Sequence, residues 1–135
     1  MAAQAPVMDQ VRGELQRGKK TSHWMWFVFP QLAYLGTSTM ARRYGIESVE
    51  QAQAYLAHPV LGPRLVECCG LLLQVPNDDI GDVLGSPDDL KLRSCLSLFM
   101  AAAPQEAVFR QCLDRFYGGA PDPRTILLCR EDGGN

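Results

Sequence analysis

Two histidines and five cysteines without a single C-x-x-C pair are too few, and too scattered, for a metal site, whose ligands come in sets of three or four at short spacings. No metal and no cofactor are expected. The cysteines, Cys68, Cys69, Cys95, Cys112 and Cys129, are odd in number, and the adjacent Cys68 and Cys69 point in different directions on a helix. They are expected as reduced, buried, small apolar residues. Long apolar runs are missing too. The densest, Trp24 to Phe29, falls far short of the roughly 20 residues that span a bilayer, so no membrane partner is expected. The first residues, Met1-Ala-Ala-Gln-Ala-Pro6, show neither the charged nor the apolar region of a secretory signal, and a soluble, cytoplasmic protein is expected. Excess positive charge is also absent: a net charge of −2 and a pI near 5.6 argue against nucleic acid as a partner held by the overall field.

What is present is apolar residues at helical spacing, with hardly any alternating strand pattern. At 47% hydrophobic, 135 residues supply one core, and the fold expected is all-α, a compact single-domain bundle of about six to eight short helices over residues 1–130 with a disordered tail at 131–135. Met8, Val11 and Leu15 mark an amphipathic helix from about Pro6 to Arg17 that Gly18 stops. Ser22 precedes an aromatic run that Pro30 ends, read as a short helix with a strand as the alternative. A brief helix from Ser38 to Gly45 is expected next, and Ser48-Val-Glu-Gln51 spells a capping box.

Beyond His58-Pro59, where the histidine ring is expected to donate to a backbone carbonyl, Leu61, Leu65, Cys68 or Cys69, and Leu72 form a core stripe. A short helical turn near Asp79 to Leu84 precedes Ser86-Pro-Asp-Asp89, read as an N-cap, a proline at the first helical position and two acids facing the dipole. That helix should bury Leu90, Leu96 and Phe99. Phe109, Cys112, Leu113 and Phe116 make a further face that Gly118-Gly119 ends, and Asp122-Pro123 opens a last helix.

Four stretches together are distinctive: Lys20-Thr-Ser-His-Trp-Met-Trp-Phe-Val-Phe-Pro-Gln31, Tyr55-Leu-Ala-His-Pro-Val-Leu-Gly-Pro-Arg-Leu65, Ser86-Pro-Asp-Asp-Leu-Lys-Leu-Arg-Ser94, and Phe116-Tyr-Gly-Gly119 followed by Asp122. They resemble the mainly bacterial family catalogued as domain of unknown function 1810, over about Ala3 to Leu128, and the resemblance implies a compact all-α fold. The chain departs from the family pattern at its start, where members usually have a further short stretch with an aromatic before the pair seen here as Ala3-Gln4, and Met8 and Cys95 stand where the family more often has Tyr and Ser. Members are often labelled calpastatin, a label at odds with a compact domain, because that inhibitor would be a long disordered repeat protein.

The first stretch gathers the groups an anion needs. Lys20, Ser22, His23, Trp24, Trp26 and Gln31 surround a helix start, where unpaired amides and the dipole favour a phosphate or carboxylate. The blander alternative is that Ser22 caps the helix and the tryptophans fill the core. Lys91 and Arg93 lie in the second turn of their helix, where the dipole gives cations nothing; Lys91 can pair with Asp88, and Arg93 lies about 200° round from it, so one of the two is expected to be structural. The function expected is binding of a nucleotide-derived or otherwise anionic small molecule in a Trp/His/Lys-lined pocket, with hydrolysis by His23 as acid or base its catalytic form. The alternative is a helical interaction module whose Trp24, Trp26 and Tyr34 line a groove for a protein partner, and a further alternative places the site around Arg42, Arg43 and Tyr44.

Overall fold

Gly18, left-handed at φ 74°, ends the first helix, α1 (Met8–Arg17), which grows out of a 3-10 turn at Ala5–Val7. The computed structural model describes residues 5–31 and 45–133, the side chains of residues 5, 26 and 130–133 excepted. Along it follow α2 (Met25–Val28), α3 (Val49–Ala57), α4 (Leu61–Gln74), α5 (Ile80–Leu84), α6 (Asp88–Ala102), α7 (Ala107–Tyr117) and α8 (Pro123–Gly133). The fold is all-α, without a strand among the described residues. The helix expected at Ser38 to Gly45 lies outside them but for its last residue. No single helix is long and apolar enough to cross a membrane.

The centre is α6, which packs against α3, α5, α7 and α8. Leu92, Cys95, Leu96, Leu98 and Phe99 are all fully buried, so the helix is apolar around most of its circumference, as a central helix must be. Its buried serines have partners in the helix and beyond it: Ser94 shares its proton between the Leu90 carbonyl at 3.3 Å and Asp122 Oδ2 at 3.4 Å, and Ser97 donates to the Arg93 carbonyl at 2.7 Å. Leu90, expected in the core, is instead 59% exposed, because the apolar neighbours of α6 occupy its other sides. Met8, Val11 and Leu15 of α1 cover one flank of α4, whose Leu65, Cys68, Cys69 and Leu72 are buried as the stripe predicts. All five cysteines are free and buried; burial pushes the Cys68 thiol up to about 12, which makes it inert.

Several helix ends differ in detail from their sequence signals. Ser48 accepts the Gln51 amide at 3.0 Å, as a capping box requires, but Gln51 Oε1 reaches the amide of Glu47, one residue outside the cap, at 2.6 Å. His58 accepts rather than donates: its Nδ1 takes the amides of Val60 and Leu61 at 3.1 and 3.2 Å and so caps the start of α4. Ser86 does not cap α6. The Ser86–Pro87 peptide is cis, Pro87 holds the cap position, and the Asp89 amide is met by the Gly85 carbonyl at 3.0 Å. Asp122 does open α8, its Oδ2 accepting the Thr125 amide at 3.0 Å and hydroxyl at 2.6 Å. That helix runs on to Gly133, through part of the stretch expected to be a disordered tail.

At the right-angled corner between α3 and α4 the backbones touch. A Cβ on Gly62 would stand 2.0 Å from the Leu56 carbonyl oxygen, whereas one on Gly70, two turns further along α4, would meet nothing within 4 Å. Gly62→Ala should therefore lower stability by about 3 kcal/mol or more, since only a backbone shift relieves the clash. Gly70→Ala should leave it unchanged or raise it by up to about 1 kcal/mol through helix propensity. Urea midpoints at constant slope measure both, and equal midpoints for the two variants would refute the close contact.

Candidate functional site

One acidic residue sits on the apolar face of α1. Glu14, a helical turn after Val11, is 0% exposed, and the following loop closes around its carboxylate. It accepts the amides of Thr21 at 2.7 Å and Ser22 at 3.1 Å, the Ser22 hydroxyl at 2.5 Å and the Trp24 indole N–H at 3.0 Å. Burial pushes the Glu14 carboxyl up, but these four bonds, that of the Ser22 hydroxyl foremost, outweigh it and hold the group down to about 2. An anion is thus bound by this segment, and it is the chain's own. Ser22, expected to cap a helix and contact a ligand, spends its hydroxyl on Glu14 instead. Helix α2 begins only at Met25, with Trp24 in the cap position and no side-chain cap.

Held in this way, the segment presents Lys20 and His23 to the start of α6. The Lys20 amide donates to the Val83 carbonyl at 2.7 Å, and its Nζ lies 2.7 Å from Asp88 and 5.2 Å from the centre of the Trp24 ring. Lys91 reaches the other Asp88 oxygen at 3.6 Å, the pairing its spacing predicts. The Lys20 and Asp88 side chains are only 7% and 18% exposed, so this ion pair is largely desolvated and rigid. Around it lies a pocket of about 260 Å³, lined by these three charged residues with His23, Trp24, Met25 and Phe27. Two lysines face one carboxylate, so the described lining carries a formal charge of +1.

Of the residues singled out by sequence, Lys20, His23, Trp24 and Lys91 meet in this pocket. Gln31 does not: it lines a second hollow of about 330 Å³, which meets the first at Lys91. Arg93 is the structural one of the two α6 cations, as its guanidinium donates to the carbonyls of Ala120 at 2.9 Å and Pro121 at 3.1 Å, anchoring the turn that leads into α8. The Trp26 side chain, Tyr34, Arg42, Arg43 and Tyr44 lie outside the described residues. Trp24 is 2% exposed and cannot lie flat in an open groove. His23 is exposed, and no hydrogen bond to its ring is made among the described residues. Met25, Phe27 and Asp88 complete the lining and were missed as contributors, Asp88 because the helix dipole already accounted for it and the other two because they lie in the apolar run.

Residues 1–129 match the family described as protein of unknown function, DUF1810. The crystal structure of a conserved hypothetical protein, Rv1873, from Mycobacterium tuberculosis is similar to this chain at a TM-score of 0.92 and 54% identity, over 94% of this chain and 91% of that one. No curated protein matches.

The Glu14 cage makes stability acid-sensitive. The carboxyl titrates at about 2 when folded and near its ordinary 4.5 when unfolded, so the unfolded state takes up the proton first. The contribution, about 3 kcal/mol, is complete above pH 4.5 and is lost as the pH falls towards 2. Glu14→Gln, which turns an N–H towards the same donors, should cost about 2–4 kcal/mol at neutral pH and flatten that slope. Denaturant titrations of both proteins from pH 6 to pH 2 would show it, and parallel curves would rule it out.

Proposed function

This chain belongs to the DUF1810 family, and we propose that it binds a small organic anion in the pocket between residues 20–25 and the start of α6. The observation that carries this is the Lys20–Asp88–Lys91 arrangement. Two cations of different elements converge on one carboxylate in a largely buried place, beside an apolar wall of Met25 and Phe27. A carboxylate or phosphate group entering there balances the formal charge, and the apolar wall keeps water away from the ion pair it joins. The Asp88 pairing fixes both lysines beforehand, so little side-chain freedom is lost when the ligand arrives.

His23 stands beside this anion position as a hydrogen-bond donor to the ligand. Hydrolysis with His23 as acid or base needs a group that orients the ring, and the described residues offer none, so the geometry favours binding over catalysis. The five free, buried cysteines support a reducing compartment, and with it the cytoplasm, as the place of action.

A thermal-shift series with phosphate, carboxylates, sugar phosphates, nucleotides and ADP-ribose tests this. A ligand present at a hundred times its Kd should add about 2.7 kcal/mol, several degrees of Tm for a domain of this size. His23→Ala and Lys91→Ala should keep the Tm of the free protein within about a degree and weaken ligand binding by about tenfold or more. Shifts that survive both substitutions would place the ligand elsewhere.

A further inference from the structure

The pocket around Lys20 has a neighbour with a different chemistry. On the other side of Lys91 the second hollow is lined by Gln31, Leu90, Ser94, Asp122 and Arg124. At about 260 and 330 Å³ the two hollows singly sit near or below the lower end of the roughly 300–1,000 Å³ of small-molecule sites, and together they fall well inside it. Lys91 belongs to both walls.

We infer that the two hollows are halves of one site and that its ligand is a sugar phosphate, with the phosphate at Lys91 and the hydroxyl-bearing carbon chain in the second hollow. This rests on the anion reading of the first pocket and extends it to a substrate class. The second hollow mixes an acid, an amide, a hydroxyl and a guanidinium. A second anionic group there would face the Asp122 carboxylate, and a hydrocarbon would leave these polar groups unmatched. A polyol suits them, since each hydroxyl both donates and accepts: carboxylate and amide oxygens take its protons, while amide and guanidinium N–H groups reach its oxygens.

The acceptor is fixed in advance. Asp122 holds the Thr125 amide, the Thr125 hydroxyl and, at 3.4 Å, the Ser94 hydroxyl, all through Oδ2, and its amide is held in turn by Ser97 Oγ at 2.8 Å. Leu90, 59% exposed at the rim, offers an apolar surface to the C–H face of a sugar. A nucleobase is less suited to the first pocket, because Trp24 is 2% exposed with Lys20 over its ring and has no open face for stacking.

Calorimetric titration with ribose 5-phosphate, glucose 6-phosphate, glycerol 3-phosphate and inorganic phosphate tests the assignment. At least one sugar or polyol phosphate should bind about tenfold or more tightly than inorganic phosphate. Gln31→Ala and Arg124→Ala should abolish that preference while leaving inorganic phosphate binding unchanged; Arg124 is exposed, so its variant reports even if the Gln31 variant misfolds. Equal affinities for all four compounds, or a preference that survives both substitutions, overturn the two-part site. If these compounds fail but an aromatic carboxylate binds and is lost on His23→Ala, the sugar-phosphate assignment is wrong and the anion pocket stands. If no anion binds, the anion pocket falls with it.

Discussion

Glu14 decides how the chain runs between α1 and α2. A carboxylate at 0% exposure has to be hydrogen-bonded, and the loop that follows α1 supplies the donors. Four donors from Thr21, Ser22 and Trp24 close on it, which sets the path of the backbone between Gly18 and Met25 and turns the indole inward. The loop can then go one way, with the Lys20 amide on the Val83 carbonyl and the Lys20 side chain across the Trp24 ring towards Asp88. A polar contact inside the core thereby places one of the two lysines on the wall of the neighbouring pocket.

The same contact uses up the donors that a short aromatic helix seemed to offer to solvent. The charges on the pocket wall are those of side chains, Lys20 from the loop and Asp88 and Lys91 from the start of α6, and the difference matters chemically. Amides at a helix end carry a partial charge, whereas two lysines share full charges over a carboxylate that keeps them in position. With Lys20 and Asp88 largely shielded from water, their fields act at a lower effective dielectric than at an open surface and are less screened by salt.

Much of this was legible in the sequence. Apolar spacing predicted α1, α4 and α7 and part of the buried face of α6, and glycines marked the ends of α1 and α7 at Gly18 and Gly118. The sequence offered Lys20, His23, Trp24 and Trp26 with one of Lys91 or Arg93 as pocket lining, without deciding between the two cations, and the Lys91–Asp88 pair followed from a spacing of three. What stayed hidden was long-range pairing. Nothing local says that Glu14 needs Ser22, so Ser22 looked like a cap; the signal available was an acid interrupting the stripe formed by Val11 and Leu15. Arg93 looked like Lys91, and only the chain's return at Ala120 and Pro121, far along the sequence, separates them. Leu90 was misplaced for a related reason: around a central helix most positions are apolar, and periodicity alone no longer tells which one faces out.

The start of α6 joins these observations. Residues 88 to 94 span less than two turns, yet Asp88 and Lys91 face the first pocket, Leu90, Lys91 and Ser94 the second, and Arg93 the turn before α8. Because Arg93 holds that turn and Ser97 holds the Asp122 amide, the geometry of the second hollow is tied to the same helix that carries the first. Both hollows are thus referenced to α6, with the loop held by Glu14 closing the first. A ligand that engages both therefore finds its two ends already spaced, and the binding energy is not spent on bringing them together.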